Sequence, residues 1–209
     1  MGCIAPGIVL VPVTVAAYKV KYFTGPEKWA MAYLLFCGLF NLIAKLTAHY
    51  NNLPLLHLYT VLEFFLLCGF FSSMSSRRRN KAFFLILATA FGLMALAYVL
   101  LTRSLFVYNA LPRFLESLAL TALCIHFFIY NLNRDLDIAH VMPSRFNFIA
   151  VTALLIYFSC CSTLFGLSNY FMRYNHDQEI DTLIWNIHAT FMAVMYLIFA
   201  LAYLTLKKK

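Results

Sequence analysis

Four side chains with chemistry in them stand within seven residues of an otherwise apolar run, Asn51–Leu67, NNLPLLHLYTVLEFFLL. They are His57, Tyr59, Thr60 and Glu63. An imidazole beside a carboxylate can act as acid and base, ligate a metal, or hold a polar ligand. Similar groups recur in other apolar stretches. Asn41 and Lys45 are four residues apart, with His49 four further on. Arg113 and Glu116 are three apart, and WNIHAT carries Trp185, Asn186, His188 and Thr190. Ionisable groups in an apolar medium are costly to hold; they face a protein interior and tend to mark function.

The medium follows from composition. The chain has 209 residues, 63% of them hydrophobic and 11% charged. A water-soluble domain carries about 25% charged residues, so an integral membrane protein is expected. The net charge of +8 does not indicate nucleic acid, because Lys and Arg sit mostly between the apolar runs. Cys37, Cys68, Cys124, Cys160 and Cys161 fall inside those runs and read as small hydrophobes. The opening MGC lacks the Ser or Thr of an acylation signal at position 6, and no basic stretch precedes the first apolar run as in a cleaved leader.

Seven segments approach the roughly 20 residues needed to cross a bilayer. They run about Cys3–Tyr18, Lys28–His49, Leu53–Ser72, Lys81–Leu101, Asn109–Asn131, Phe146–Leu167 and Asp181–Leu204. Backbone groups cannot stay unpaired in lipid, and no alternating strand pattern appears, so an all-α seven-helix bundle is expected, as one domain. Lys19, Lys21, Lys28, Arg77, Arg78, Arg79, Lys81, Arg134, Arg145 and Lys207–Lys209 would share one side, against Arg103, Arg113 and Arg173 on the other. Positive-inside bias then places the N-terminus outside and the C-terminus in the cytoplasm of a plasma (inner) membrane. SSRRRNK at Ser75–Lys81 reads first as a topology anchor, and otherwise as a docking or lipid-headgroup site.

With that orientation, Asn41, Lys45, His57, Tyr59, Thr60, Glu63, Arg113, Glu116, Trp185, Asn186 and His188 fall mostly in the outer half, at 1.5 Å per residue. One such group is adequately explained as an interhelical tie, such as Lys45 with Glu63 or Glu116. Their gathering at one depth predicts a polar ligand pocket instead. A retinal protein would need a lysine within the last helix, and receptor motifs such as Asp-Arg-Tyr are absent. A zinc-dependent lipid hydrolase is the alternative, with His57, His126 and His188 as ligands, although Met192 stands where a second histidine of the last helix would be. A small transporter or channel ranks third, since the helices look unbroken and no repeat is evident.

His57-x-Tyr59…Glu63 in one helix and Trp185-x-x-His188 in another resemble the third and seventh helices of bacterial seven-helix membrane modules that stand alone or precede histidine kinases. The resemblance implies a sensory pocket built by His57, Tyr59, Glu63, Trp185 and His188. The sequence reaches Lys209 without a kinase domain, so the expected output goes to a separate cytoplasmic partner. The expected function is therefore a membrane sensor binding a small or lipid-like ligand, with membrane lipids around it and no cofactor.

Overall fold

A computed structural model describes residues 7–47, 49–75, 77–106, 108–134, 144–174 and 178–207. Among them lie seven α-helices: α1 (Leu10–Tyr18), α2 (Gly25–Leu46), α3 (Leu53–Ser73), α4 (Arg78–Thr102), α5 (Ala110–Arg134), α6 (Arg145–Tyr174) and α7 (Gln178–Leu204). No strand occurs among the described residues. Six helices, α2 to α7, are long and apolar enough to cross a membrane. The α1 helix spans nine residues, and residues 1–6 of the chain, which include the start of the segment expected there, lie outside the described ones. The α6 helix continues seven residues beyond the expected Leu167, through SNYFMRY, which contains neither Gly nor Pro to stop it.

The chain divides into two compact units: Phe23–Glu116, and Met1–Tyr22 together with Ser117–Lys209. Within the first, α3 packs against both α2 and α4. The start of α2 is set by a capping box. The Thr24 amide donates to Glu27 Oε2 at 2.8 Å, the Thr24 hydroxyl bonds the same oxygen, and Pro26 occupies the first turn. At its far end the Thr47 hydroxyl donates to the Ile43 carbonyl, and Asn52 Nδ2 donates to the Ala44 carbonyl at 3.0 Å. The Ala44 carbonyl is one of those a helix terminus leaves open, whereas the Ile43 carbonyl also accepts the Thr47 amide at 2.9 Å. Pro54 lies in the first turn of α3, and the Leu53 amide donates to Asn51 Oδ1 at 3.1 Å. The next helix, α4, ends at Arg103 in the left-handed conformation, φ 51°.

The pattern of burial is that of a protein whose solvent is lipid. Along α4, Ala88, Phe91 and Ala95 are buried, three and four residues apart, while Leu85, Ile86, Leu93, Leu96 and Leu100 are exposed. The buried set includes Glu63, Thr60, Asn109, Arg113 and Glu116. Polar groups inside and leucines outside invert the arrangement of a water-soluble core.

In the other unit α6 and α7 form an antiparallel pair: Phe146 near the start of α6 packs on Tyr203 near the end of α7, ring centroids 4.9 Å apart. Small side chains are buried in these helices, with Ala150, Ala153 and Ala202 fully so, which lets helix backbones approach closely. The α1 helix packs on α7. Beyond its end, Lys19 Nζ donates to the Leu206 carbonyl at 3.0 Å, so α1 and α7 finish at the same level and run parallel.

Candidate functional site

Glu63 is the hub of the buried polar groups in Phe23–Glu116. It stands more than two turns inside α3, with His57 and Thr60 preceding it at spacings of six and three, so one helix face carries all three inward. Facing it, Asn109, the residue before α5, and Arg113 and Glu116 in its first turns recur at four and three residues and share one face. The third contributor is Tyr33 of α2.

The geometry is specific. Glu63 Oε1 accepts from the Tyr33 hydroxyl at 3.1 Å and from the Tyr59 hydroxyl at 3.0 Å. Glu63 Oε2 accepts from Arg113 Nη1 at 2.5 Å. The same nitrogen donates to Glu116 Oε2 at 2.9 Å. The guanidinium also lies over the Tyr59 ring, 5.2 Å from its centroid, a favourable place for a cation. Phe36 stacks on the Tyr59 ring with centroids 5.3 Å apart, and Phe40 meets it at 5.4 Å. Cys37 Sγ is 3.4 Å from the Tyr59 oxygen. One turn back along α3, Asn109 Nδ2 donates to Thr60 Oγ1 at 2.8 Å, and the Thr60 hydroxyl donates onward to the Leu56 carbonyl at 2.8 Å.

Two acceptors in this cluster have no hydrogen-bond partner among the described residues: Glu116 Oε1 and Asn109 Oδ1. Both residues are 1% exposed. Two carboxyl groups therefore face one guanidinium, with acceptor lone pairs to spare. Such a set recognises N–H or O–H donors and positive charge.

The remaining expected site residues are distributed differently. His57 is buried beside Tyr98, ring centroids 6.5 Å apart. Asn41 is half-buried and Lys45 is exposed. Lys45 lies twelve residues along α2 from Tyr33, about 18 Å at the helical rise, which is why Arg113 rather than Lys45 meets Glu63. Trp185, Asn186 and His188 belong to the other unit. There His188 Nε2 is 2.9 Å from the Tyr157 hydroxyl, and the rings of Trp185 and Phe165 flank it at 5.8 and 5.5 Å. Asn186 is exposed, and its backbone carbonyl accepts from the Thr190 hydroxyl. His126 is exposed, its ring 6.3 Å from Tyr130. Among the described residues no group of three or more His, Cys, Asp or Glu side chains is placed to hold a metal ion.

Two members of the cluster go beyond the sequence reading. Asn109 is legible in principle, because 109, 113 and 116 form a helical stripe. Tyr33 carries no local signal: its phenol matters only because α2 brings it to α3.

These helices define an all-α protein with the build of a multi-pass membrane protein. No protein-family model, no curated protein and no solved structure matches the chain.

Proposed function

We propose that this protein is a membrane sensor or receptor-like module, and that its ligand presents an N–H donor or a positive charge to the Glu63–Arg113–Glu116 cluster. The observation that carries the reading is Glu116 Oε1, a buried carboxyl oxygen with no hydrogen-bond partner among the described residues. A buried acceptor left unpaired costs about 1–3 kcal/mol, and a ligand donor would recover that. The charged groups are expensive as mere helix ties, since hydrogen bonds between membrane helices are worth only about 0.6–2 kcal/mol. Binding would favour whichever helix arrangement the ligand holds more tightly, and a separate cytoplasmic partner would read the shift. The resemblance of His57-x-Tyr59…Glu63 and Trp185-x-x-His188 to bacterial sensory modules points the same way.

The test is native mass spectrometry of the protein released from membranes in mild detergent. The unaltered chain is expected to retain a small molecule bearing an amine or comparable donor. Glu116→Gln leaves the Glu63–Arg113 pair in place and should lower occupancy at least about tenfold, as loss of a charge-assisted hydrogen bond implies. Undiminished occupancy in Glu116→Gln would reject the assignment.

The same proposal takes the chain as seven spans in a plasma membrane, N-terminus outside. The parallel course of α1 and α7 supports it, since an up-and-down order of seven requires that the first and last run the same way. Lys19, Lys21 and Lys207 gather at that shared end, as positive-inside bias demands of a cytoplasmic face. A reporter enzyme active only in the cytoplasm, fused after Lys209, should be active. Activity instead from a reporter that works only outside would reverse the orientation.

A further inference from the structure

A groove of about 160 Å³ runs between α2, α3 and α4 within Phe23–Glu116. Its apolar lining includes Trp29, Phe65, Phe84 and Leu85, and Lys81 stands at one end. It is separate in composition from the Glu63 cluster, and nothing about it depends on the sensor reading. Its floor exists because position 69 is glycine. A Cβ there would lie 2.5 Å from Trp29 Cε3 and Cζ3, so only a bare backbone lets the indole lie against α3. Phe65 meets the same indole edge-on, at 6.5 Å.

The groove sits at the basic end of its unit. Trp29 is in the first turns of α2, Gly69 in the last turns of α3 and Lys81 in the first turns of α4. Lys28, Arg77, Arg78, Arg79 and Lys81 are all exposed there, while the nearby carboxylate, Glu27, is buried in its capping box. Phe65 and Leu85 remain substantially exposed along the side that leads away from Lys81. Apolar walls running into the membrane, with a basic head at the surface, match one kind of molecule.

We propose that this groove binds an anionic glycerophospholipid of the surrounding bilayer. The acyl chain lies over Trp29 and along Phe65, Phe84 and Leu85, and the phosphate pairs with Lys81. The geometry distinguishes this from a general attraction of the basic segment 77–79 to anionic headgroups. General attraction needs no apolar seat and would not place a chain against Trp29.

Tryptophan quenching by brominated lipids tests it. The chain has two tryptophans, so Trp185→Phe leaves Trp29 as the reporter. The Trp185→Phe chain is reconstituted into phosphatidylcholine vesicles containing brominated phosphatidylglycerol or, separately, brominated phosphatidylcholine. Phosphatidylglycerol should show about fivefold higher relative affinity at Trp29, the worth of one lysine near an anionic headgroup. Adding Lys81→Gln, an exposed change that leaves packing intact, should bring the ratio to about one. Equal quenching by the two lipids before that change overturns the proposal. So does a preference that survives Lys81→Gln but disappears on replacing Arg77, Arg78 and Arg79 together by Gln, which would mark diffuse attraction to the basic segment.

Discussion

Arg113→Leu is expected to destabilise the folded protein by about 3–5 kcal/mol, the cost of removing one partner from a buried charge network. Arg113 is 4% exposed and is the bridge between two carboxyls, Glu63 and Glu116, that are 0% and 1% exposed. Without it Glu63 keeps its two phenol donors, but Glu116 loses the hydrogen bond seen to its carboxylate. Neither carboxyl then keeps the cation that bridges them. The companion variant, with Glu63, Arg113 and Glu116 all replaced by Leu, should recover most of the loss, because an apolar replacement of a whole buried network is often neutral or stabilising. Denaturation by a stepwise rise in sodium dodecyl sulfate against a mild detergent measures both. A loss under about 1 kcal/mol for Arg113→Leu would mean that the cluster is hydrated like a surface pair. A triple variant that folds well but carries no ligand would show that these charges are held for binding rather than for folding.

Tyr33→Phe is expected to cost more than Tyr59→Phe, although both phenols donate to the same oxygen at nearly the same distance. The difference lies in what survives in a separated helix. Tyr59 and Glu63 are four apart on α3, so their bond persists when α3 stands alone in the bilayer, and it adds little to helix association. Tyr33 reaches Glu63 from α2, so its bond exists only when the two helices are packed. Tyr33→Phe should therefore cost about 1–2 kcal/mol, near the upper end for interhelical bonds in membranes. Tyr59→Phe should cost well under about 1 kcal/mol, part of it through the loosened contact with Arg113. Equal losses in the same denaturation assay would refute this division, and with it the idea that α2 is tied to α3 through the carboxylate.

Much of the architecture is legible in the sequence, for a physical reason: in lipid the backbone must satisfy itself within each segment, so a long apolar run has to be a helix. Leu53 and Pro54 mark the start of α3 to the residue, since proline is well suited to a first turn. The α6 helix shows the limit of that logic. Hydropathy fades near Leu167, whereas the helix continues to Tyr174, because backbone propensity does not end where the apolar run does. The side of each helix that carries chemistry is also readable, as with His57, Thr60 and Glu63 on one face of α3.

What the sequence does not contain is the identity of the partners. Lys45 and Arg113 are both cations within apolar segments, and hydropathy treats them alike. Position along the helix separates them: Lys45 lies about 18 Å beyond the Tyr33 level, exposed, while Arg113 reaches Glu63 at 2.5 Å. The same holds for Tyr33 and for the bare oxygen of Glu116, each defined by contacts across helices. Depth alone groups Trp185, Asn186 and His188 with Glu63; in the fold they belong to the unit that includes Ser117–Lys209, with Tyr157 as a partner of His188. Helical period and the apolarity of lipid are local rules, so residue order alone puts Glu63 on the inward face of a membrane-length helix. Its meeting with Arg113, Tyr33 and Tyr59 depends on helix rotation and register, which packing among the helices settles together.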